Sequence, residues 1–250
     1  MLDEYNEFRT YIKFLFGSDV RLKVLLALIN GPMELSELRS IIKSSSSTIL
    51  HAIYQLEEKN LVSRINRSYE LSSTGRIVSL KILGVIRTLS VISRFSEFFL
   101  DHDIHSIPDS LLGNIDSIHG ASLLKARLED LTAPYDRIRE KVLNSERVWI
   151  LSGVCYPFYE DIIKMGIPAE IILSEDIADS VESDASDSVK IRAISRDLNF
   201  SLIITDDSMA LGLFMSDGLY DHGRFIFSED EDAIDWAWRL FKHFTGTGDE

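Results

Sequence analysis

Cysteine is almost missing from this sequence. Cys155 is the one thiol in 250 residues, which excludes an intrachain disulfide framework and a cysteine-only zinc site. A reducing compartment suits such a chain, and the expected location is the cytoplasm. Long uncharged apolar runs are missing too. The most apolar region, residues 80–100, is interrupted by Lys81, Arg87, Arg94 and Glu97, so neither a membrane span nor a membrane partner is expected. The opening MLDEYNEF has no basic segment leading into an apolar one, so no secretory signal is expected. No G-x-S-x-G, Walker loop or G-x-G-x-x-G occurs, which removes the common signatures of acyl transfer and of nucleotide binding. Basic charge is scarce: 26 Lys and Arg face 40 Asp and Glu, a net charge of −14.

The charge is unevenly placed. Residues 1–80 carry 10 basic and 9 acidic side chains, whereas residues 81–250 carry 16 and 31. A near-neutral first part can present a local basic face to a polyanion while the acidic part stays away from it.

Leu2, Tyr5, Phe8, Ile12, Leu15 and Phe16 recur at helical spacing and predict a short amphipathic arm helix. Ser18 or Asp19 can cap a second helix carrying Val20, Val24, Leu25, Leu28 and Ile29, which Gly31-Pro32 ends. ELSELRSIIK predicts a short helix with Leu35, Leu38, Ile41 and Ile42 inward and Ser36 near its start. The serines 44–47 cap a further helix whose Ile49, Ile53 and Leu56 face a core. Asn60 is placed to end it in a left-handed conformation. Residues 61–65 and 68–71 read as a hairpin turning at Asn66-Arg67, and residues 72–74 as the cap of a long helix reaching about Leu100. Three short helices, a two-stranded wing and a following helix are the parts of a winged helix-turn-helix.

Further on, residues 101–119 read as a linker, and SLLKARLEDLTAPYDRIREKVLN as helical, with a break or new start at Pro134. The period then changes. RVWILSGV, AEIILSE, VKIRAIS, FSLIITDD and ALGLFMS are β-rich, and PFYEDIIKMG between the first two reads as a helix. Strand, helix, strand predicts a parallel α/β sheet. DAIDWAWRLFKHF predicts a final amphipathic helix with Ile234, Trp238, Leu240 and Phe241 inward. The expected fold is thus α+β and multidomain: a winged helix-turn-helix over residues 1–80, a connecting and dimerisation helix with linker over 81–119, and an α/β regulatory or effector-binding domain over 120–250.

Two stretches also resemble known families. LSELRSIIKSSSSTILHAIYQLEEKNLVSRINRSYELSSTGR is similar to bacterial and archaeal winged-helix regulators related to the arsenic-repressor class, over about residues 15–80. WILSGV, MGIPAEIILSEDI, LGLFMSDGLYD and AIDWAWRLFKHF resemble the effector domain of archaeal regulators named for methanogenesis and filamentous growth, over roughly residues 121–244. Ala237 departs from that pattern, which has glycine after the tryptophan. The resemblance implies an archaeal DNA-binding transcription regulator.

In such a reader the helix that opens at the serines enters the major groove. Ser45, Ser46, Thr48, His51 and Gln55 are the expected base and backbone contacts, and Arg64 and Arg67 of the wing the expected phosphate or minor-groove contacts. A winged helix used only for protein contacts is the bland alternative. Ile77, Leu80, Leu83, Ile86, Leu89, Ile92 and Phe95 of the long helix suit either a packed connector or a homodimer seam, and the seam is favoured. His102 and His105 beside Asp101 and Asp103 could ligate a metal, but a solvated linker is the simpler reading, and no metal site is expected.

The α/β half offers strand ends where ligands of open sheets bind. Ser152, Tyr156, Ser174, Asp206, Tyr220 and Asp221 are the expected contacts of a small-molecule effector, against the bland reading that they cap turns. The order of elements is similar to half of a phospholipase-D-like fold, but the His-x-Lys motif of that chemistry is absent. Cys155 has no identifiable base. No catalytic residue, cofactor or enzyme activity is expected. The partners expected are double-stranded DNA, a second copy of the chain and an effector. The rival is a winged helix fused to an enzymatic or purely oligomerising α/β domain.

Overall fold

The computed structural model describes residues 2–178, 188–196 and 198–246. The chain divides into two compact units, Met1–Ile86 and Arg87–Glu250.

The first unit begins with α1 (Leu2–Phe16) and α2 (Asp19–Ala27), the latter followed by a 3-10 turn at Leu28–Asn30. Next come β1 (Met33–Glu34), α3 (Leu35–Ile42), α4 (Ser46–Glu58), β2 (Val62–Ile65), β3 (Ser68–Leu71) and α5 (Ser73–Arg94), whose last turns belong to the second unit. Local chemistry sets the boundaries. The Ser18 hydroxyl accepts the Arg21 amide and starts α2. The start of α3 depends on Glu34 and Glu37 rather than the expected Ser36: the Glu34 amide donates to the Glu37 carboxylate at 2.7 Å, half of a reciprocal capping box. Lys43 turns the chain toward α4 with φ 56°. Asn60, with φ 55°, ends α4, where the Leu61 amide reaches the Leu56 carbonyl and the Asn60 amide the Glu57 carbonyl, both at 2.9 Å. Asn66, at φ 56°, makes the two-residue turn of the wing, where Ile65 faces Ser68.

These elements close on a core of Val24, Leu25, Leu38, Ile42, Ile49, Ile53, Leu56, Leu61, Tyr69 and Ile82. Burying one such aliphatic side chain is worth roughly 1.5–3 kcal/mol, so α4 is fixed by the inward side of its own stripe. Ile41, expected inside, is 57% exposed, because α3 is short and turns Leu38 and Ile42, with the half-buried Leu35, toward the core. The third strand of the wing sheet, β1, pairs with β3 through Met33 and Tyr69.

The second unit holds α6 (Ser96–Asp101), α7 (Asp109–Leu112), a 3-10 turn at Ile115–Ile118, β4 (Ser122–Lys125), α8 (Ala133–Leu143), β5 (Val148–Ser152) and α9 (Phe158–Met165). After these come β6 (Ala169–Ser174), α10 (Glu175–Ala178), β7 (Val189–Ile194), β8 (Phe200–Ile204), β9 (Met209–Leu213), β10 (Arg224–Ser228) and α11 (Glu231–Thr245). Seven strands form one sheet in the order β4-β10-β9-β8-β5-β6-β7. Apolar side chains cover both faces. One face packs against Phe95, Phe98, Leu111, Ile118, Trp236, Leu240 and Phe241. The other packs against Ile138 and Val142 of α8 and Phe158, Tyr159 and Ile162 of α9.

Four expectations change here. The long helix does not continue to Leu100: α5 stops at Arg94, and α6 starts after Phe95, whose φ −106° and ψ 21° break the helix while its ring is buried. Residues 101–119 are not a solvated linker, since His102, Ile107, Leu111, Ile115 and Ile118 are buried. Residues 122–125 form a strand paired with β10 rather than a helix, and helix α8 starts at Ala133 with Pro134 in its first turn, where a missing amide costs nothing. The sheet is mixed rather than parallel: β5, β6 and β7 run parallel, while β8, β9, β10 and β4 are joined antiparallel. In α11, Leu240 and Phe241 are buried as expected and Ile234 and Trp238 half-buried, while Trp236 is the fully buried anchor, its indole donating to the Leu111 carbonyl at 3.0 Å. Ala237 is fully buried beside it.

Candidate nucleic-acid interface and effector site

Helix α4 buries Ile49, Ala52, Ile53 and Leu56, so its opposite face is turned outward. Ser45 caps it. Its hydroxyl accepts the Thr48 amide at 3.2 Å and lies 2.9 Å from the Ser47 and 2.8 Å from the Thr48 hydroxyls. Ser45 and Thr48 therefore first serve to satisfy the helix start. The positive end of a thirteen-residue helix, edged by hydroxyls, is suited to a phosphate oxygen. Ser46 is half-buried, and His51 is exposed one turn further on.

Gln55 is placed differently from the other expected contacts. Its Oε1 accepts from Arg21 Nη1 at 2.7 Å. Arg21 also donates to the Phe14 carbonyl through Nε at 3.0 Å and Nη2 at 2.6 Å, and lies over the Phe14 ring. Gln55 thus ties α4 to α2 and to the end of α1. On the outward stripe the helical spacing adds Ser47 and Tyr54 to His51, and Tyr54 is 59% exposed. Both were open to a period-based reading, since 47, 51 and 54 share one face. Glu58, one turn beyond, raises the Tyr54 phenol through a hydrogen bond and its charge. In the wing, Arg64 and Arg67 are exposed. Arg64 Nε donates to the Asn66 carbonyl at 3.2 Å, holding that side chain along the turn.

The six expected effector contacts do not share a pocket. Ser152 Oγ is occupied by its own turn, accepting the Val154 amide at 3.1 Å and donating to the Val154 carbonyl at 2.9 Å. Tyr156 and Tyr220 share a hydrogen bond between hydroxyls at 2.5 Å. Gly212, opposite Ser201 in the β8–β9 ladder, leaves room for the Tyr220 hydroxyl; a Cβ there would collide with it. Burial pushes the phenols of Tyr156, Tyr159 and Tyr220 well above the ordinary tyrosine value, so these hydroxyls stay protonated. Together they are a packed polar patch of the core.

Ser174 is buried, and its hydroxyl receives the Leu198 amide at 3.4 Å. Asp206 lies at the other end of the sheet. β8 runs antiparallel to β5, so the end of β8 lies beside the start of β5, with Ile204 opposite Trp149. There Asp206 accepts the Glu146 amide at 2.6 Å. Asp221 is bound into the core edge: its Oδ2 meets His102 Nε2 at 3.0 Å and Arg224 Nε at 2.5 Å, and its Oδ1 accepts the Gly223 amide at 2.8 Å. Burial alone would raise this carboxyl. The bonds from Arg224 and Gly223 and the charges of Arg224 and His102 outweigh it and hold the group below the usual aspartate range. His102 is stacked on Phe98 with ring centroids 4.0 Å apart, whereas His105 stays exposed against Asp103. No cluster of three or more metal-ligating side chains occurs among the described residues.

Cys155 lies beside Tyr156, and burial followed by the charge of Glu160 raises its thiol, the opposite of what an activated nucleophile needs. Among the described residues no helix is long and apolar enough to cross a membrane.

Family models match the chain in two consecutive segments. Residues 9–90 match the N-terminal domain, and residues 131–247 the middle domain, of the methanogenesis regulatory protein FilR1. The methanogenesis regulatory protein FilR1 of Methanothrix harundinacea (strain 6Ac) is 25% identical over 250 residues, an alignment covering 93% of this chain. It covers 56% of that relative, so the chain spans little more than half of its length. Among solved structures, the archaeal chromatin protein TrmBL2 aligns over 98% of this chain and 99% of its own at 11% identity and a TM-score of 0.41. The transcriptional repressor BigR from Xylella fastidiosa aligns over 34% of this chain and 88% of its own, at 26% identity and a TM-score of 0.30. At these scores neither likeness bears on fold or function. The two matched domains follow one another in the order of a single protein, and the chain belongs to the family of the methanogenesis regulatory protein FilR1.

Proposed function

We propose that the chain is a sequence-specific, DNA-binding transcription regulator that acts as a homodimer and whose α/β unit senses a small-molecule effector without catalysing a reaction. The observation that carries the DNA-binding reading is the presentation of α4. Its apolar stripe is fully used by the core, its capped start faces outward with Ser47, His51 and Tyr54 on one stripe, and the wing exposes Arg64 and Arg67. A helix so held can enter a major groove while the wing touches the backbone. Membership in a regulatory family agrees with this reading.

Exposed apolar side chains support the homodimer. Leu2, Tyr5, Phe8 and Phe16 on α1, and Ile77, Leu80, Val85, Ile86, Leu89 and Ile92 on α5, are each at least 40% exposed. Monomeric proteins rarely leave so much apolar helix surface open, and two readers on one dimer match a two-fold operator. An effector would then act by preferring one arrangement of the two readers.

The test is a titration of labelled duplexes with the full chain, using DNA upstream of its own gene and a shuffled duplex of the same length. The expected result is a preference for the upstream DNA. Arg64→Ala with Arg67→Ala should weaken both complexes and lower the salt slope by about one for each phosphate that an arginine neutralises. Equal affinity for both duplexes, or a salt slope untouched by the arginine changes, would overturn the assignment.

A further inference from the structure

We infer that a basic cavity in the second unit binds a phosphate-bearing small molecule. The cavity, about 550 Å³, is bounded by Arg196 after β7, by Arg239, Lys242 and His243 of α11, and by Ser110 and Asn114 at α7. That volume lies within the range of small-ligand sites, roughly 300–1,000 Å³. Among the described residues its wall carries no carboxylate, although residues 81–250 hold 31 acidic and 16 basic side chains.

Three cations without a carboxylate partner among the described residues converge on this one cavity. Arg87, Lys125, Arg137, Arg139, Lys141, Lys164, Arg192 and Arg224 each meet a carboxylate, whereas Arg94, Arg127, Arg147 and Lys190, away from this cavity, meet none among the described residues. Among the described residues, Arg196, Arg239 and Lys242 meet none. Arg196 lies over the Phe244 ring at 5.9 Å, and Arg239 reaches the Ser117 hydroxyl at 3.4 Å. Lys242 and His243 in the last turn of α11 could be placed there by the helix dipole alone. Arg239 is a turn earlier and Arg196 comes from another element, so the dipole does not explain them. Two guanidinium groups, an ammonium and an imidazole on one open cavity are matched by an oxyanion that accepts forked hydrogen bonds. Ser110 and Asn114 add polar groups at the rim. Leu111 gives an apolar surface for the remainder of an organic phosphate.

This site is separate from the six residues expected to bind an effector. It deepens the sensing role proposed above and rests on that role only for its consequence at DNA, because ligand binding is measurable without DNA. The experiment is calorimetric titration of the full chain at low salt with inorganic phosphate, pyrophosphate and glucose 6-phosphate. We expect saturable one-to-one binding of at least one probe. Arg239→Gln with Lys242→Gln should weaken it at least tenfold without changing the melting temperature, because neither side chain meets a carboxylate among the described residues. Arg64→Ala with Arg67→Ala should leave it unchanged. Tighter binding of glucose 6-phosphate than of inorganic phosphate marks an organic phosphate as the ligand, and the reverse marks free phosphate. No saturable heat with any probe at millimolar concentration, or binding lost in the wing variant and kept in the α11 variant, overturns the inference. Loss of DNA binding with the calorimetric result intact would refute the regulator reading and leave the site standing.

Discussion

Arg21 Nη1 donates to Gln55 Oε1 at 2.7 Å, joining α2 to the outward-facing helix α4 across 34 residues of sequence. The same guanidinium holds the Phe14 carbonyl. Gln55 therefore positions α4 instead of offering its amide oxygen to a base. Gln55→Ala should cost about 1 kcal/mol of stability and weaken all duplexes alike. His51→Ala should instead change the order of preference among duplexes. Melting curves and competition binding over a panel of sequences measure both, and a changed preference in the Gln55 variant would contradict the anchoring role.

The exposed apolar side of α5 gives a second expectation. Val85 and Leu89 are 47% and 60% exposed, so Val85→Asp with Leu89→Asp should leave the fold intact and separate the dimer. Two linked half-sites bind on the order of 100-fold or more tighter than one, and the monomeric variant should weaken by about that factor on its operator. Sedimentation at micromolar concentration provides the check. A monomeric wild-type chain would remove the seam.

Asp221 makes acid stability testable. Its carboxyl is held below the ordinary aspartate value, so the folded state binds its proton less readily than the unfolded chain. The stabilisation is therefore fully present above the ordinary value, roughly pH 3.9, and is lost as pH falls through the lower folded-state value. Asp221→Asn should cost about 2 kcal/mol near neutral pH, the scale of a hydrogen bond to a charged group, and should flatten the acid limb of the stability profile. Urea unfolding at neutral pH and near pH 3 gives both numbers, and parallel wild-type and variant profiles would show that the clasp with His102 and Arg224 is not ionic.

Much of the first unit was legible because its signals are local. The spacing of Ile49, Ile53 and Leu56, the serine cap and the turn at Asn66 each fix a short element with its neighbours alone. β1 escaped because two residues have no period. Residues 122–125 were hidden by adjacent leucines leading into a true helix, and the break at Phe95 by a helical pattern that continues through it. The six residues expected to contact an effector are spread apart for a topological reason. β6 and β7 run parallel to β5 but β8 returns antiparallel to it, which places Asp206 at the far end from Ser152. Gln55 and His102 could not be read correctly from composition, because their partners Arg21 and Asp221 are distant in sequence. The basic cavity was invisible for the same cause: Arg196 meets α11 only in the folded unit.

On the proposed function, α4 reads DNA in a dimer. The most direct measurement is footprinting of DNA upstream of the gene with the full chain, beside the His51→Ala variant. Two protected half-sites related by a two-fold axis are expected, their centres about 10 base pairs or a multiple of that apart, with protection that the variant loses or moves to other sequences. Uniform weak protection along the fragment, the same for wild type and variant, would contradict it.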